Sequence, residues 1–265
     1  MPRSGVLMCA AALLAGIVLV TGCAPNPGPT ASPSSSTQTP STRTPSTPTP
    51  SETPTSTPGA DTITIDLPAD GARVTVPVDA EGTANTFEAA LTVDIVNEAG
   101  DILCMRHLMA TSGSGTRGTW QARLGFAPEQ DIAAPVTLRA YELSAKDGSM
   151  INLVERPITL SPEHPLIMLT SPVCGDVVDA GGNLSVQGLA TVFEAALTVE
   201  LRDAAGAAVY SRDLMTAEGG VESPFGEIVT IPAGLPPGFY DLVAFNYSAE
   251  DGSIENEFPV QIELR

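Results

Sequence analysis

The sequence predicts an all-β protein built from two tandem β-sandwich domains that follow a signal peptide and a disordered tether rich in Pro, Ser and Thr. Three observations support this prediction. A unit of roughly 100 residues occurs twice, apolar and polar residues alternate within each copy, and tight-turn signals separate the apolar runs. The stretch from Thr83 to Gly100 returns from Leu189 to Gly206. A duplicated domain therefore organises the chain.

Residues 1–22 are typical of a secretory signal peptide. Arg3 precedes an apolar run, residues 6–20, that is too short to span a membrane comfortably. The segment ends in Val-Thr-Gly-Cys at Cys23, which resembles the lipobox of bacterial lipoproteins, where the signal is cut before the cysteine and the thiol receives a diacylglycerol. We therefore expect Cys23 to be acylated, with an ordinary secreted protein as the alternative.

Residues 23–60 comprise the lipidated cysteine and a tether made almost wholly of Pro, Ser and Thr. Such a tract has too little apolar surface to offset the entropy lost on ordering. Its fully extended limit is on the order of 115 Å at about 3.1 Å per residue, which would lift the folded part off the membrane and into the cell wall. Dense Ser and Thr beside Pro also suit O-glycosylation, and a bare spacer is the simpler alternative.

The two copies divide the rest of the chain into domains at 61–160 and 166–265. In the first copy, odd-numbered apolar residues from Phe87 to Ile95 alternate with others that include Glu88. A period of two predicts a strand with one face in a core. The second copy repeats the pattern from Phe193. We therefore expect both phenylalanines to face inward, and Glu88 and Glu194 to face outward.

Each copy also predicts a closing hairpin, because Asp147 and Asp251 are each followed by glycine between two apolar runs. Asp-Gly is favoured in tight turns since glycine accepts positive φ. About seven short strands in about 100 residues, with no convincing helix, fit an immunoglobulin-like sandwich.

Two motifs recur at matching distances in the copies. Gly-x-Ala-x-x-Phe-Glu-Ala appears at residues 82–89 and 188–195, and Ser-Ala-x-Asp-Gly-Ser at 144–149 and 248–253. Together they resemble the immunoglobulin-like domain found in bacterial spore germination proteins, and the two copies cover everything past the tether. The resemblance implies a bacterial envelope protein, often a lipoprotein, whose domains mediate interactions rather than catalysis. It also implies a link to sporulation or germination.

The charge balance narrows the choice of partner. The formal net charge is −19 at pH 7, and nearly all of it belongs to the two repeats. Such a field repels nucleic acid and anionic lipid surfaces instead of binding them through counterion release. Cationic proteins and divalent ions remain as partners. In the alternative, the acids simply keep a surface protein soluble and monomeric.

Cysteine usage leaves three alternatives open. After processing, Cys104 and Cys174 remain, at non-equivalent places in the two copies. A pair outside the membrane favours a disulfide, and here it would have to join the domains. Cys174 lies a strand's length beyond the junction, which makes that geometry awkward. Buried thiols or intermolecular pairing are the alternatives.

Four acids are candidate binding residues. Glu88 and Glu194 are ligand or ion contacts in one interpretation, and in the other they fix local geometry by accepting backbone N–H groups or pairing with a cation. Asp147 and Asp251 offer calcium ligands in one interpretation and turn formation in the other. Turn formation is favoured because calcium requires six to eight oxygens.

The sequence favours no enzyme, cofactor or metal site. The two histidines, His107 and His164, do not recur between copies, and neither has partners at the spacing of a zinc site or a catalytic relay. Phosphate-binding and dinucleotide motifs are absent from the sequence. Trp120 and Phe225 lie at nearby positions in the two copies, which favours core packing over a sugar-stacking platform.

Two function classes follow. In the first, which we prefer, the protein is a scaffold or interaction module on the extracytoplasmic face of the bacterial cell membrane and binds an envelope protein through its paired domains. In the second it binds a cell-wall polymer. Carbohydrate binding requires exposed aromatic side chains, which the sequence supplies only sparsely through residues such as Tyr210 and Tyr247.

Overall fold

A computed structural model of the chain describes residues 62–128 and 132–265. The predicted signal peptide, Cys23 and the tether lie outside these ranges. Inside them, no helix is long and apolar enough to span a membrane.

The described part of the first domain contains seven strands. They are β1 (Arg73–Val74), β2 (Val78–Ala84), β3 (Ala90–Asn97), β4 (Ile102–Met109), β5 (Gly118–Leu124), β6 (Ala134–Leu143) and β7 (Met150–Leu160). One sheet has the order β1-β7-β6-β3-β4, and the other pairs β2 with β5. Two bridges, Ile63 to Ala84 and Leu67 to Glu81, place the preceding segment along β2. Strand β4 thus lies at one edge of the larger sheet.

The second domain repeats this architecture with eight strands. They are β8 (Ile167–Ser171), β9 (Val177–Val178), β10 (Asn183–Ala190), β11 (Ala196–Arg202), β12 (Ala208–Met215), β13 (Ser223–Thr230), β14 (Gly238–Tyr247) and β15 (Ile254–Leu264). Its sheets have the orders β12-β11-β14-β15-β9 and β13-β10-β8. The predicted all-β fold of two tandem sandwiches is confirmed.

The motif glycines explain how each sandwich closes. A Cβ at Gly82 would lie 2.0 Å from the Thr64 carbonyl oxygen and 2.8 Å from the Trp120 ring, and one at Gly188 would lie 2.5 Å from the Phe225 ring. The aromatic ring therefore packs directly on the glycine backbone. Trp120 is only 2% exposed, so it belongs to the core and the alternative of a sugar platform is wrong for this residue.

The predicted start of the central strand is wrong in both domains. Residues Phe87–Ala89 and Phe193–Ala195 form short 3-10 turns, and β3 and β11 begin only after them. The turn breaks the period of two, so Phe87 and Phe193 point into solvent, with exposures of 63% and 69%. The alternation that continues after the turn made the phenylalanines look like part of the strand.

The outer face of β3 also differs from the prediction. Thr92 and Asp94, on the face expected to meet solvent, are buried. Arg139 donates two hydrogen bonds of 2.7 Å to the Asp94 carboxylate, and the Tyr141 hydroxyl donates a third at 3.0 Å. Long side chains from the neighbouring strand β6 thus cover the acid, which alternation alone does not predict.

A disulfide joins the two domains. Cys104 on β4 bonds Cys174 in the turn after β8, with the α-carbons 5.0 Å apart. Of the three alternatives, the structure therefore contains the interdomain bridge. The objection based on chain position was wrong, because the first turn of the second domain lies against β4 instead of pointing away from the junction.

Other contacts at this junction also involve β4. The Arg106 guanidinium donates a 2.6 Å hydrogen bond to Asp241 on β14. The backbone N–H and C=O of His107 bond the side-chain amide of Gln261 on β15, at 2.7 and 3.0 Å. The His107 ring stacks on Phe239 with centroids 4.4 Å apart. At His107 the second domain therefore satisfies the unpaired backbone of an edge strand.

Candidate interaction surface

The Phe-Glu-Ala turn has the same unusual backbone in both domains. Its second and third residues lie in the left-handed region, with φ of 54° and 62° at Glu88 and Ala89, and 55° and 60° at Glu194 and Ala195. Residues with a β-carbon rarely adopt this conformation, and each such residue carries a cost of about 1–3 kcal/mol. The surrounding fold must therefore impose the turn.

Neighbouring loops hold the turn in place. In the first domain the Glu88 N–H donates to the Ser114 hydroxyl at 2.9 Å, and the Ser114 N–H donates to the Thr86 carbonyl at 2.8 Å. A Cβ at Gly113 would lie 2.4 Å from the Ala89 nitrogen, so only glycine lets this loop pass so close. In the second domain the Gly220 N–H donates to the Val192 carbonyl at 2.9 Å.

Each turn presents its phenylalanine beside other exposed apolar side chains. Met109 and Met215, the last residues of β4 and β12, are both exposed and pair with the first residues of β3 and β11. In the first domain, Glu142 at the end of β6 accepts the Phe87 N–H at 3.0 Å. The turn and the last hairpin thus share one end of the domain.

The carboxylates of Glu88 and Glu194 point into solvent. No hydrogen bond or ion pair of either carboxylate occurs in the described ranges, although both backbones belong to the left-handed turn. The alternative in which the carboxylate captures backbone N–H groups is thus not seen, and their role in binding stays a prediction.

Asp147 and Asp251 organise the two hairpin turns. The Ser149 hydroxyl and N–H donate to Asp147 at 2.7 and 3.2 Å, and the Ser253 N–H donates to Asp251 at 2.9 Å. These hydrogen bonds to serine lower the pKa of both carboxyl groups. The geometry is that of a tight turn, and each carboxylate already accepts protein donors.

No group of three or more metal-ligating side chains occurs within the described residues. His107 is engaged at the junction, where its Nδ1 lies 3.1 Å from the Thr92 hydroxyl. Burial lowers its pKa. His164 lies 3.7 Å from Glu222.

An open groove of about 910 Å³ runs along β10 and β13. Its lining includes Gln187, Gly226 and Ile228, and its ionisable lining residue, Glu227, forms an ion pair with Arg212. A second depression of about 250 Å³ lies beside Pro157 in the first domain.

Sequence reasoning missed the exposed phenylalanines and methionines. It identified the candidate acids but not the turns in which they lie. The signal for the turn was present, because Phe-Glu-Ala is identical in both copies, as part of a seven-residue identity that runs from Phe87 to Val93 and from Phe193 to Val199. A residue that is identical in both copies without contributing to the core would have indicated a role at the surface or an unusual backbone conformation. The junction residues carried no such signal, since Cys104, Asp241 and Gln261 occur in one copy only.

Several solved structures align with the chain at low similarity. Fibronectin(III)-like modules of Clostridium thermocellum CbhA are 14% identical, with 77% of this chain and 94% of that chain covered and a TM-score of 0.24. The ICAM-5 D1–D4 ectodomain fragment is 16% identical, with 77% and 54% covered and a TM-score of 0.26. Scores this low carry no argument about function.

No curated protein matches the sequence. One family does, and it matches twice, over residues 62–149 and 166–253. Both matches contain a Phe-Glu-Ala turn and an Asp-Gly turn. Tandem domains of this kind indicate a non-catalytic module. The chain belongs to the family of the immunoglobulin-like domain of bacterial spore germination.

Proposed function

We propose that this protein is a lipid-anchored envelope scaffold whose paired domains bind another protein and catalyse no reaction. The observation that carries the proposal is the exposed phenylalanine on the same left-handed turn in both domains. Exposed apolar side chains in a soluble domain are typical of binding surfaces when they cluster. A strained backbone retained in both copies supports selection for what the turn presents.

The anchor is part of this proposal and is supported by the lipobox-like sequence at Cys23. It places the domains on the extracytoplasmic face of the cell membrane. Mass spectrometry of the protein extracted from membranes tests it, because the mature N-terminus should carry a diacylglyceryl group at Cys23. Release of a Cys23→Ser variant into the medium is the corresponding genetic result.

Binding of a cell-wall polymer is the alternative, and it has less support. Trp120, Tyr141 and Tyr240 are buried, so they offer no face on which a sugar ring can stack. Tyr247 is the most exposed tyrosine in the described ranges. A link to sporulation or germination rests on the family match alone.

The experiment compares capture of envelope proteins by three forms of the mature chain. Wild type and a Val177→Ser variant, which alters an exposed apolar residue on β9, away from the turns and the groove, should capture the same partner. A Phe87→Ser, Phe193→Ser double variant should lose it. Saturable binding to purified wall polymer that survives the double substitution, with no protein captured, would overturn the proposal.

A further inference from the structure

The two domains present corresponding ends that we call tips. The domain-1 tip comprises residues 85–90, 109–117 and 142–151, and the domain-2 tip comprises residues 191–196, 215–222 and 246–255. Each exposes a phenylalanine and a methionine from equivalent positions. The domain-1 tip adds Leu143, Met150 and Ile151, whereas the domain-2 tip adds Val221, Tyr247 and Ile254. Their apolar content is thus similar.

The chain enters the first domain at its tip. The Asn85 N–H donates to the Thr62 carbonyl at 2.8 Å, and Ile63 bridges Ala84 immediately before the Phe-Glu-Ala turn. The residues between Cys23 and Thr62 therefore join the molecule beside Phe87. In the second domain the equivalent bond runs from Thr191 to Leu166, and the chain that arrives there comes from the first domain.

Charge separates the two tips. The domain-1 tip holds three acids, Glu88, Glu142 and Asp147, and two bases, Arg117 and Lys146. The domain-2 tip holds six acids and no base: Glu194, Glu218, Glu222, Glu250, Asp251 and Glu255. In a chain of formal net charge −19, the domain-1 tip is therefore close to neutral. An anionic headgroup layer repels it far less than it repels the domain-2 tip.

We propose that the domain-1 tip docks on the lipid surface to which the chain is anchored, with Phe87, Leu143 and Met150 at the headgroup boundary. The domain-2 tip, with Phe193, stays in solution for the protein partner, so in the lipid-anchored form Phe87 contributes to docking and Phe193 to capture of that partner. The inference rests on the proposed anchor at Cys23. Apolar burial is worth about 25 cal/mol per Å², so a few partly buried side chains give only weak binding by themselves. The tether makes this contact intramolecular, which raises its effective concentration.

A lipid surface fits the domain-1 tip better than a protein does because the chain that leads to the proposed anchor enters here, whereas the domain-2 tip is reached only through the first domain. A tether long enough to let the domains leave the membrane also lets this tip return to it. The exposed apolar side chains come from three separate segments, so they can contact a flat layer without a complementary pocket. Large apolar side chains near the headgroups are typical of proteins at a membrane surface.

The test places a tryptophan at each tip and supplies the anchor chemically. Because Cys104 and Cys174 form a disulfide, Cys23 provides the reactive thiol of residues 23–265 for coupling to a maleimide lipid. The vesicles contain anionic phosphatidylglycerol together with phosphatidylcholine whose acyl chains are brominated, and the bromine quenches indole fluorescence at short range. Phe87→Trp reports on the domain-1 tip, and Phe193→Trp is its matched control on an identical turn. Trp120 is buried in both variants and reports that each is folded.

We expect loss of emission and a blue shift for Phe87→Trp on brominated vesicles, and no change for Phe193→Trp. Adding Leu143→Asp and Met150→Asp to the Phe87→Trp variant should restore the emission. Equal quenching of both reporters, or quenching of neither, would overturn the inference. Chemical coupling supplies the anchor whether or not the cell lipidates Cys23. An unquenched reporter therefore counts against docking of the tip and leaves the proposed anchor untouched. A soluble form found in cells would instead count against the anchor.

Discussion

The two domains bury the same aromatic position on the outer face of their larger sheets, and they cover it in different ways. Tyr141 pairs with Thr92 across the sheet, and Phe245 pairs with Thr198. An arginine lies over each ring, Arg139 at 5.9 Å from one centroid and Arg202 at 5.4 Å from the other. Arg139 comes from the same strand as its ring, whereas Arg202 comes from the neighbouring strand β11.

The hydroxyl group explains the difference. A buried tyrosine hydroxyl requires an acceptor, and Asp94 accepts from Tyr141 and from Arg139 at the same time. Phe245 needs none, and within the described residues the equivalent acid, Glu200, pairs with Arg202 alone, which also binds Glu257. In the first domain these hydrogen bonds thus converge on one buried carboxylate, whereas in the second domain Arg202 divides its ion pairs between two partly exposed carboxylates.

Removing the acid from each domain should destabilise the two domains unequally. Asp94→Ala should lower the free energy of unfolding by about 3–5 kcal/mol, because it leaves a buried hydroxyl and a mostly buried guanidinium without their acceptor. Glu200→Ala should cost about 1 kcal/mol or less, since Arg202 keeps Glu257. Urea unfolding of both variants measures the contrast, and equal losses would contradict it.

A second comparison concerns the edge strands, because the disulfide and Gln261 engage β4, while no such contact from the other domain covers β12 in the part of the chain that the structure describes. Replacing Cys104 and Cys174 by alanine removes a bridge between residues separated by 70 positions. Such bridges typically contribute about 2–4 kcal/mol to stability. In the double variant we expect the two domains to unfold in separate transitions, the earlier of which is less stable than the wild-type transition by this amount. A single transition at the wild-type midpoint would show that the remaining junction contacts hold the domains together without the disulfide.

The motif glycines occupy equivalent positions in the two domains, so substituting them should destabilise both domains to a similar degree. Gly82→Ala and Gly188→Ala both drive a Cβ into backbone and an aromatic ring, so each should cost about 1–3 kcal/mol. Gly226→Ala is the matched control, because its Cβ would approach Gln187 at an ordinary 3.4 Å. Thermal unfolding distinguishes the three variants. A neutral Gly82→Ala would mean that strand β2 is not held against Thr64 and Trp120.

The fold was predictable because the pattern that encodes it is local and occurs twice. Strand alternation, Asp-Gly turns and a duplicated aromatic are visible in the sequence, and they fixed the sandwich and the buried Trp120. The turn at Phe87 escaped prediction because Phe-Glu-Ala continues the alternation of the strand after it, while the constraint on its backbone comes from Gly113 and Ser114, more than 20 residues later.

The junction escaped prediction for a related reason. Its contacts join single-copy residues separated by 70 to 154 positions, such as Cys104 with Cys174 and His107 with Gln261. Periodicity within one copy carries no information about such pairs. Equivalence between copies is misleading there, because the two domains use different surfaces, an edge strand in one and a sheet face in the other.

One histidine should give the folded chain a weak dependence of stability on pH. Burial at the junction lowers the pKa of His107, although Glu263 opposes part of this shift. The unfolded chain then binds a proton at higher pH than the folded one does, so the contribution is fully present above the ordinary histidine pKa of about 6.5 and is lost as the pH falls below it. His107→Gln should therefore lose less stability than wild type between about pH 8 and pH 5.5. His164→Gln is the control, because any acid effect on the carboxylates is shared by both variants. A wild-type pH dependence that persists in His107→Gln would place the titrating group outside the junction.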